Sequence, residues 1–266
     1  MKTRIVFIGA VCALLAFSLP AHGDVVISSF DTPVTLEFTH GMYFGGAGLT
    51  PGGASGLGML DSNTILIVGL SDGDTVFGGT YSTGDFARGL STGGVATGGL
   101  YAFNTGSDIA LGFQPTGSDV TPGRAVFRIR NNTGSTINQL EISAVVAYYD
   151  DAARSTRCLL EHSGSVAGSF SLLQLTDTPL GPSVAPAWIS TGLQGLLPNI
   201  TIAHDDHYYA AFGVEDAAGT GARDEVGILS LTVKAVPEPA TLALLLLGGL
   251  ALLRHRSPEP SRRAEA

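Results

Sequence analysis

Four consecutive polar residues, His204-Asp205-Asp206-His207, form the group in this chain that most resembles a catalytic or metal-binding site. Histidine nitrogens and carboxylate oxygens bind zinc and calcium, but each metal needs several ligands that converge on one point. Neighbouring side chains of a strand point to opposite faces, so only alternate members of the four could share a face. A complete site would need ligands from elsewhere in the chain. The alternative is a polar turn ahead of a strand predicted at 208–214.

Two acidic pairs flank a glycine-containing segment near the end of the chain. Glu215 and Asp216 precede residues 217–222, and Asp224 and Glu225 follow them closely. Calcium takes roughly six to eight oxygen ligands, many of them from carboxylates and backbone carbonyls. These pairs could therefore bind calcium and stabilise the turn between them. We predict a protein without a cofactor, and calcium bound at these pairs is the alternative.

A nucleophilic active site needs a serine or cysteine, a base within hydrogen-bond reach, and a third group that orients the base. His162-Ser163-Gly164-Ser165 lacks the glycine spacing of a nucleophile elbow, and the chain has no glycine-rich phosphate loop with its lysine. Carboxylates are numerous enough to supply a glycosidase pair, but their number does not indicate a pair. We therefore predict a protein that is not an enzyme and assign no catalytic residue. A secreted hydrolase is the weakest alternative.

Amphipathic aromatic rings could bind carbohydrate, because sugars stack on their faces and hydrogen-bond to their polar tips. The available rings are Trp188, Tyr148, Tyr149, Tyr208 and Tyr209. Both tyrosine pairs fall in predicted strands, so one ring of each pair must face the core and the other must face outward. The rings therefore predict either a sugar-binding surface or part of the core.

The elements that position these residues are predicted to be strands. Short runs rich in Val, Ile, Thr, Phe and Tyr, separated by turn-forming residues, extend over residues 24–235, and no long amphipathic helix pattern interrupts them. We predict an all-β fold, an antiparallel β-sandwich or jelly roll that forms one secreted domain. Residues 41–99 contain five Gly-Gly pairs and should form long loops on that sandwich. A separate small β unit is the alternative for this segment.

Alternation is clearest in one run of the predicted sandwich. Val126, Arg128 and Arg130 share one face of this strand, whereas Phe127 and Ile129 share the other. Because successive side chains of a strand point to opposite faces, the two arginines should face solvent while the apolar pair faces the core.

The charge of residues 24–235 limits the partners of this domain. Eight Lys and Arg residues stand against twenty Asp and Glu residues, a formal net charge of −12. Such an acidic surface repels nucleic acid and anionic membranes, and it suits cations or neutral polysaccharide. Cys158 is the one cysteine in this span, so a disulfide within the domain is excluded. Its thiol is expected to be buried and inert, or else to pair with another chain.

The beginning of the chain has the three regions of a secretory signal peptide. Lys2 and Arg4 precede an apolar run over 5–19, and Ala21 and Gly23 supply small residues for a cut after residue 23. Residues 1–23 are therefore predicted to be removed by signal peptidase.

The end of the chain has a second apolar run. Val236-Pro237-Glu238-Pro239 leads into the uncharged residues 240–253, and Arg254-His255-Arg256 follows. As a hydrophobic helix, 240–253 would span roughly 21 Å, less than the ~30 Å core of a bilayer. Positive charge beyond a span stays in the cytoplasm, so the sandwich should lie outside the inner membrane. Residues 257–266 would form a disordered cytoplasmic tail.

This order of a rigid Pro-Glu-Pro, an apolar run and a basic stop resembles the PEP-CTERM sorting signal of Gram-negative bacteria, here over 236–256. This kind of tail is also labelled an ice-binding protein C-terminal domain, but a regular Thr-x-Thr ladder is missing and we do not infer ice binding. The resemblance implies recognition by the membrane enzyme exosortase through a sorting motif with six named residues: Val236, Pro237, Glu238, Pro239, Arg254 and Arg256. An ordinary C-terminal membrane anchor is the alternative.

The second half of the domain resembles the β-sandwich of many PEP-CTERM proteins. It has their Leu111-Gly112-Phe113 strand, the turn at 131–134, a strand that ends in tyrosine and a final Asp-Glu-x-Gly-Ile strand at 224–228. Relatives often have paired acidic residues after Gly-Ile, but this chain has Leu229-Ser230. An ion-binding role for those positions therefore does not carry over.

Together these features predict a non-enzymatic exported protein of the cell surface or extracellular matrix. Its expected partners are exosortase, signal peptidase and an exopolysaccharide or other surface glycan, with only transient contact to the inner membrane through residues 240–253. The alternative is a carbohydrate- or surface-binding module with calcium-stabilised loops.

Overall fold

The computed structural model describes residues 24–38, 48–52 and 59–237. Fifteen strands and one short 3-10 turn at Gly84–Phe86 make up the regular structure of these residues. The predicted all-β class is therefore confirmed. No helix in this part of the chain is long and apolar enough to cross a membrane. The predicted signal peptide, the hydrophobic helix at 240–253 and the tail at 257–266 lie outside the described residues.

The strands are numbered in chain order, and most of them follow the runs of β-branched and aromatic residues. They are β1 (Val25–Ile27), β2 (Val34–Glu37), β3 (Leu49–Thr50), β4 (Leu60–Asp61), β5 (Ile65–Val68), β6 (Leu90–Ser91), β7 (Gly99–Asn104), β8 (Ile109–Gln114), β9 (Gly123–Asn131), β10 (Leu140–Tyr149), β11 (Ser155–Ser163), β12 (Ser171–Asp177), β13 (Trp188–Leu197), β14 (His207–Ala218) and β15 (Glu225–Ala235).

Two large sheets form the sandwich, and β3 and β4 pair separately as a two-stranded sheet. The first sheet has the order β1-β9-β14-β11-β12, and β5 pairs with β9 beside β1. The second has the order β13-β10-β15-β8-β7-β6, and β2 pairs with β15. The pairings are antiparallel except for β1 with β9, β3 with β4 and β6 with β7. The predicted antiparallel β-sandwich is confirmed.

The core lies between the two sheets. Phe113 of β8 and Phe212 of β14 come from opposite sheets, and their ring centroids lie 6.3 Å apart. In β9, Phe127 and Ile129 are fully buried in this core, while Arg128 and Arg130 remain partly exposed. The alternation predicted for this strand is confirmed.

Residues 59–99 contribute short strands to both sheets. Ile65–Val68 forms β5, which adds to the first sheet beside β9, and Leu90–Ser91 forms β6 at the edge of the second sheet. Loops connect these strands, and Gly78 and Gly93 in those loops have positive φ angles of 81° and 108°. Glycine tolerates this left-handed backbone because it has no Cβ.

Candidate functional site

The outer surface of the second sheet is built by β13, β10 and β15. Ser143 of β10 lies opposite Gln194 of β13 and Thr232 of β15, and Val145 lies opposite Gly192 and Ser230 in the same way. Ala144, Leu193 and Leu231, which alternate with them in the centre of the three strands, are buried, so this set faces outward. We call this surface the polar face, and its members are Ser143, Val145, Ser190, Gly192, Gln194, Ser230 and Thr232.

A groove of about 440 Å³ runs over the polar face. Gly192 forms part of its floor, and a Cβ added at Gly192 would meet no atom within 4 Å. Gln174 of β12 borders the groove, where its side-chain oxygen accepts a hydrogen bond of 2.5 Å from the Gln194 backbone N–H. Among the described residues that line the groove, none is charged. Hydroxyl and amide groups are therefore the hydrogen-bonding groups that it offers.

β2 extends this surface beyond β15. Thr35 of β2 lies opposite Thr232, and their hydroxyl oxygens are 2.9 Å apart. Lys234 and Glu141 lie one step further along the strands and form an ion pair of 2.6 Å. This ion pair therefore adds no net charge to the surface at this end of the groove.

An aromatic cluster lies at the other end of the polar face. Trp188 lies opposite Tyr149 in the sheet, and their ring centroids are 5.5 Å apart. Phe103 packs 5.0 Å from Trp188, and Tyr101 stacks on Phe103 at 5.1 Å. Phe103 and Tyr101 are buried, whereas Trp188 and Tyr149 are half-buried. Since Tyr149 is four residues from Val145, the cluster lies about 13 Å from the centre of the groove.

Residues 92–98, which we call the covering loop, pack over the aromatic cluster. The Trp188 indole N–H donates a hydrogen bond of 2.8 Å to the Thr92 carbonyl. A Cβ on Gly93 would lie 2.9 Å from the Tyr149 ring, so only glycine allows this close approach of backbone to ring. The loop therefore fixes the orientation of both half-buried rings.

The side chain of Glu225 is hydrogen-bonded to the covering loop. Its Oε1 accepts a hydrogen bond of 2.6 Å from the Val95 backbone N–H, and the side chain is fully buried. Burial, together with the neighbouring carboxylate of Asp151, raises the pKa of Glu225 to about 7. Burial also raises the pKa of the nearby Tyr101. Near neutral pH the loop is thus attached to a carboxyl group that is only partly ionised.

The other three tyrosines predicted for sugar binding lie elsewhere. Tyr148 and Tyr208 face the core between the sheets, and Tyr209 faces outward from the first sheet, with its ring 6.2 Å from that of Phe77. In each consecutive pair, then, one ring faces inward and the other outward. The structure brings Trp188 and Tyr149 together and adds Phe103, which the sequence did not single out.

The two predicted calcium-binding pairs make separate contacts. Asp216 forms an exposed ion pair with Arg154, with both N–O distances at 2.6 Å. Glu215 lies opposite Arg157 in the register of β14 and β11. Asp224 and Glu225 are both fully buried. Over the described residues, no three His, Cys, Asp or Glu side chains are grouped to hold a metal ion. Calcium binding by these pairs stays the alternative to a protein without a cofactor.

Asp224 is held in place by three donors. Its Oδ1 accepts hydrogen bonds from the backbone N–H groups of Ala152 at 2.9 Å and Asp151 at 3.2 Å. Its Oδ2 accepts one from the Thr178 hydroxyl at 2.5 Å. Burial raises the pKa of Asp224, and the hydrogen bonds from Thr178 and Ala152 oppose that rise. The carboxylate therefore ties the β10–β11 turn to the start of β15.

The His204–His207 segment forms a turn ahead of β14. His204 Nδ1 accepts a hydrogen bond of 3.2 Å from the Gly134 N–H, and Asp205 pairs with Arg130 at 2.6 Å. His207 lies 3.0 Å from the Asp24 carboxylate. Within the segment, His204 Nε2 lies 3.6 Å from the Asp205 carboxylate, while the other contacts of these side chains go to separate neighbours.

His162 lies 2.8 Å from the Tyr208 hydroxyl, and burial lowers its pKa. His40 lies outside the described residues. None of the described histidines lines the groove, so the groove lacks the histidine base that a hydrolase of the kind considered above would need.

The sandwich leads directly into the predicted sorting signal. β15 ends at Ala235, the Val236 N–H donates a hydrogen bond of 3.0 Å to the Gln139 carbonyl, and Pro237 is the last residue described. Glu238, Pro239, Arg254 and Arg256 lie beyond it. The PEP-CTERM protein-sorting motif matches residues 235–257. The chain has a PEP-CTERM sorting signal. The motif implies an exported protein that is sorted by exosortase.

Comparison with solved structures finds only distant similarity. A structure described as "CBM4 structure and function" is 15% identical with a TM-score of 0.27, over 66% of this chain and 94% of that one. "Structure of Eiger TNF from S. frugiperda" is 12% identical with a TM-score of 0.24 and covers 40% of this chain. The match spans 64% of the Eiger chain. No curated protein matches the sequence. With TM-scores this low, neither structure bears on the function of the PEP-CTERM protein.

Proposed function

We propose that this PEP-CTERM protein is a non-enzymatic component of the cell surface or extracellular matrix that binds neutral polysaccharide through its polar face. The observation that supports this function is the uncharged groove over Ser143, Gly192 and Ser230, with the half-buried rings of Trp188 and Tyr149 at one end. Small-molecule sites combine apolar and aromatic surface with a few fixed polar groups.

The chemistry of the groove suits a chain of neutral sugars. A sugar hydroxyl both donates and accepts hydrogen bonds, and the serine, threonine and glutamine side chains of the groove do the same. The exposed parts of the Trp188 and Tyr149 rings add apolar surface at one end of the polar face. From Ser143 to Tyr149 the surface extends about 20 Å along the strands, room for several sugar rings.

The negative charge of the domain favours neutral polysaccharides over acidic ones. The domain has a formal net charge of −12 over residues 24–235, which disfavours acidic polymers at low ionic strength. The groove itself has no arginine or lysine among its described lining residues to offset that repulsion. We therefore assign neutral glycan as the ligand class.

Sorting and binding belong to different parts of the chain. The tail brings the precursor to exosortase, and the sandwich engages the glycan after release. Because the fold holds the chain as far as Val236, a cut within the Pro-Glu-Pro segment would free the whole sandwich with its polar face intact. Signal peptidase would remove residues 1–23 at export.

Gly192→Phe tests the groove. Gly192 is exposed, does not have a positive φ, and has open space around its Cβ position, so phenylalanine there fills the groove without backbone strain. We expect the variant to bind a neutral polysaccharide at least about tenfold more weakly than the parent protein. Affinity electrophoresis in gels that contain dextran, starch or the polysaccharide of the native matrix measures the change.

Val166→Phe is the matched control. Val166 is 40% exposed on the segment between β11 and β12 and does not line the groove. The control should bind polysaccharide as the parent does. Equal retardation of the parent protein and Gly192→Phe, or no retardation of the parent by any neutral polymer, would overturn the proposal.

A further inference from the structure

A second cavity, of about 380 Å³, lies among the loops at the end of the sandwich where β10 turns into β11. Its walls come from the covering loop, from the segment after β8 and from the segment before β15. The covering loop separates it from the aromatic cluster. The cavity is thus distinct from the groove on the polar face, and none of the contacts described for the groove reaches it.

Two buried polar side chains line this cavity, and each has an atom without a hydrogen-bond partner. Gln114 is 3% exposed, and its Nε2 donates to the carbonyls of Pro115 and Arg223, both at 3.1 Å, but its Oε1 has no partner among the described residues. Arg223 is also 3% exposed, and its Nη2 donates to the Val120 carbonyl at 2.9 Å, but its Nη1 has no partner there.

An unpaired acceptor and an unpaired donor at one cavity are unusual in a folded protein. Each buried polar atom left without a partner costs about 1–3 kcal/mol, and most native structures avoid that cost. A ligand that accepts from Arg223 and donates to Gln114 would remove both costs. We take these two atoms as the candidate contacts for a molecule bound in the cavity that their residues line.

The charges around the cavity restrict the class of ligand. Arg223 contributes a positive charge, and Asp151 contributes a carboxylate on another wall. The second arginine of the lining, Arg154, is paired with Asp216. An anion would meet Asp151 and a cation would meet Arg223, whereas a neutral hydroxyl group can both donate and accept.

We infer that this cavity binds one ring of a neutral sugar or a polyol of similar size. Its volume lies near the lower end of the range of about 300–1,000 Å³ for ligand pockets, which suits a single ring better than a polymer. A free monosaccharide and the end of a chain present the same hydroxyl groups, and the experiment below distinguishes these two sources of the ring. This inference does not depend on the groove, which is proposed to bind sugars along a polysaccharide rather than at its end.

Isothermal titration of the purified exported protein with D-glucose, D-galactose, D-mannose and N-acetyl-D-glucosamine tests the inference, with sodium sulfate as the anionic probe. At least one sugar should bind, and Gly117→Phe, on the wall that follows β8, should weaken binding of that sugar by at least about tenfold. Val166→Phe, at an exposed residue that lines neither the cavity nor the groove, is the matched control and should stay within about twofold of the parent. Ala222→Phe, on another wall of the cavity, gives a second obstruction if Gly117→Phe does not fold.

Each outcome decides the matter. Absence of binding by every sugar, binding of sulfate in place of sugar, or full affinity in both obstructed variants would overturn the inference. A tetrasaccharide that ends in the bound sugar is then titrated into Gly192→Phe to distinguish the two sources of the ring. If the tetrasaccharide competes with the monosaccharide, the cavity binds a chain end. If it does not compete, the cavity binds the free sugar. Loss of polymer binding in Gly192→Phe with normal binding of the ring would leave both proposals standing. Failure of only one of the two would show which is wrong.

Discussion

Replacement of Glu225 by glutamine tests how the buried carboxyl group controls the covering loop. Glutamine keeps a side-chain oxygen that can accept the hydrogen bond from the Val95 N–H. Its amide can also donate to the Asp151 carboxylate, which faces a second carboxyl group in the parent protein. The substitution therefore removes a titrating group while it preserves the shape and the main hydrogen bond of the site.

The size of the effect follows from the pKa of Glu225, which burial and Asp151 raise from an ordinary 4.5 to about 7. Between these values the unfolded chain has released a proton that the folded protein still holds, so the free energy of unfolding falls as the pH rises. A pKa difference of one corresponds to about 1.4 kcal/mol, which makes the full loss at most about 3 kcal/mol. The loss begins above the unfolded pKa and is complete once the pH passes the folded one.

Urea unfolding followed by the fluorescence of Trp188, the single tryptophan of the chain, measures this loss. We expect Glu225→Gln to match the parent at about pH 4 and to be more stable by up to about 3 kcal/mol at about pH 8. Glu37→Gln, at an exposed glutamate on β2, is the matched control and should follow the parent. A difference between Glu225→Gln and the parent that is the same at both pH values would refute the reasoning.

Two further predictions concern the remaining reactive groups. Cys158 is fully buried and burial raises the pKa of its thiol, so a maleimide should label it only in urea; labelling of the folded protein, or a dimer that dithiothreitol dissolves, would contradict this burial. Calcium should leave the thermal midpoint unchanged, because Asp224 already accepts three hydrogen bonds and Asp216 is paired with Arg154. Calorimetry with and without calcium chloride decides this, and a rise that Asp224→Asn abolishes would establish the calcium site instead.

Local pattern was sufficient to predict the class of fold and the direction of many side chains. The period of two in β9 places Phe127 inward and Arg128 outward, and the same rule separates Tyr148 from Tyr149. These predictions succeed because pleating alone decides them once a strand forms.

The pairing of strands that are distant in the chain could not be predicted from the sequence. Trp188 meets Tyr149 because β13 pairs with β10 across a separation of dozens of residues, and no local signal fixes that alignment. Phe103 joins them from β7, a strand on the far side of β15 and β8. The groove likewise depends on three strands at once, so its residues do not stand out in any single run.

The burial of Asp224 and Glu225 could not be predicted from the sequence either. Asp224 and Glu225 resemble an exposed acidic turn in the sequence, yet both are fully buried because β15 starts beneath the covering loop. Only the tertiary contacts with Val95 and Thr178 reveal that these carboxylates hold loops in place.

The most direct test of the account is the mass and location of the protein in its own cells, with and without exosortase. We expect the enzyme to yield a product that ends within residues 237–239 and is found in the matrix, and its absence to leave full-length protein in the inner membrane. An uncut protein in the inner membrane of both strains would contradict the account, because the tail would then be a plain anchor and the polar face would never reach the matrix.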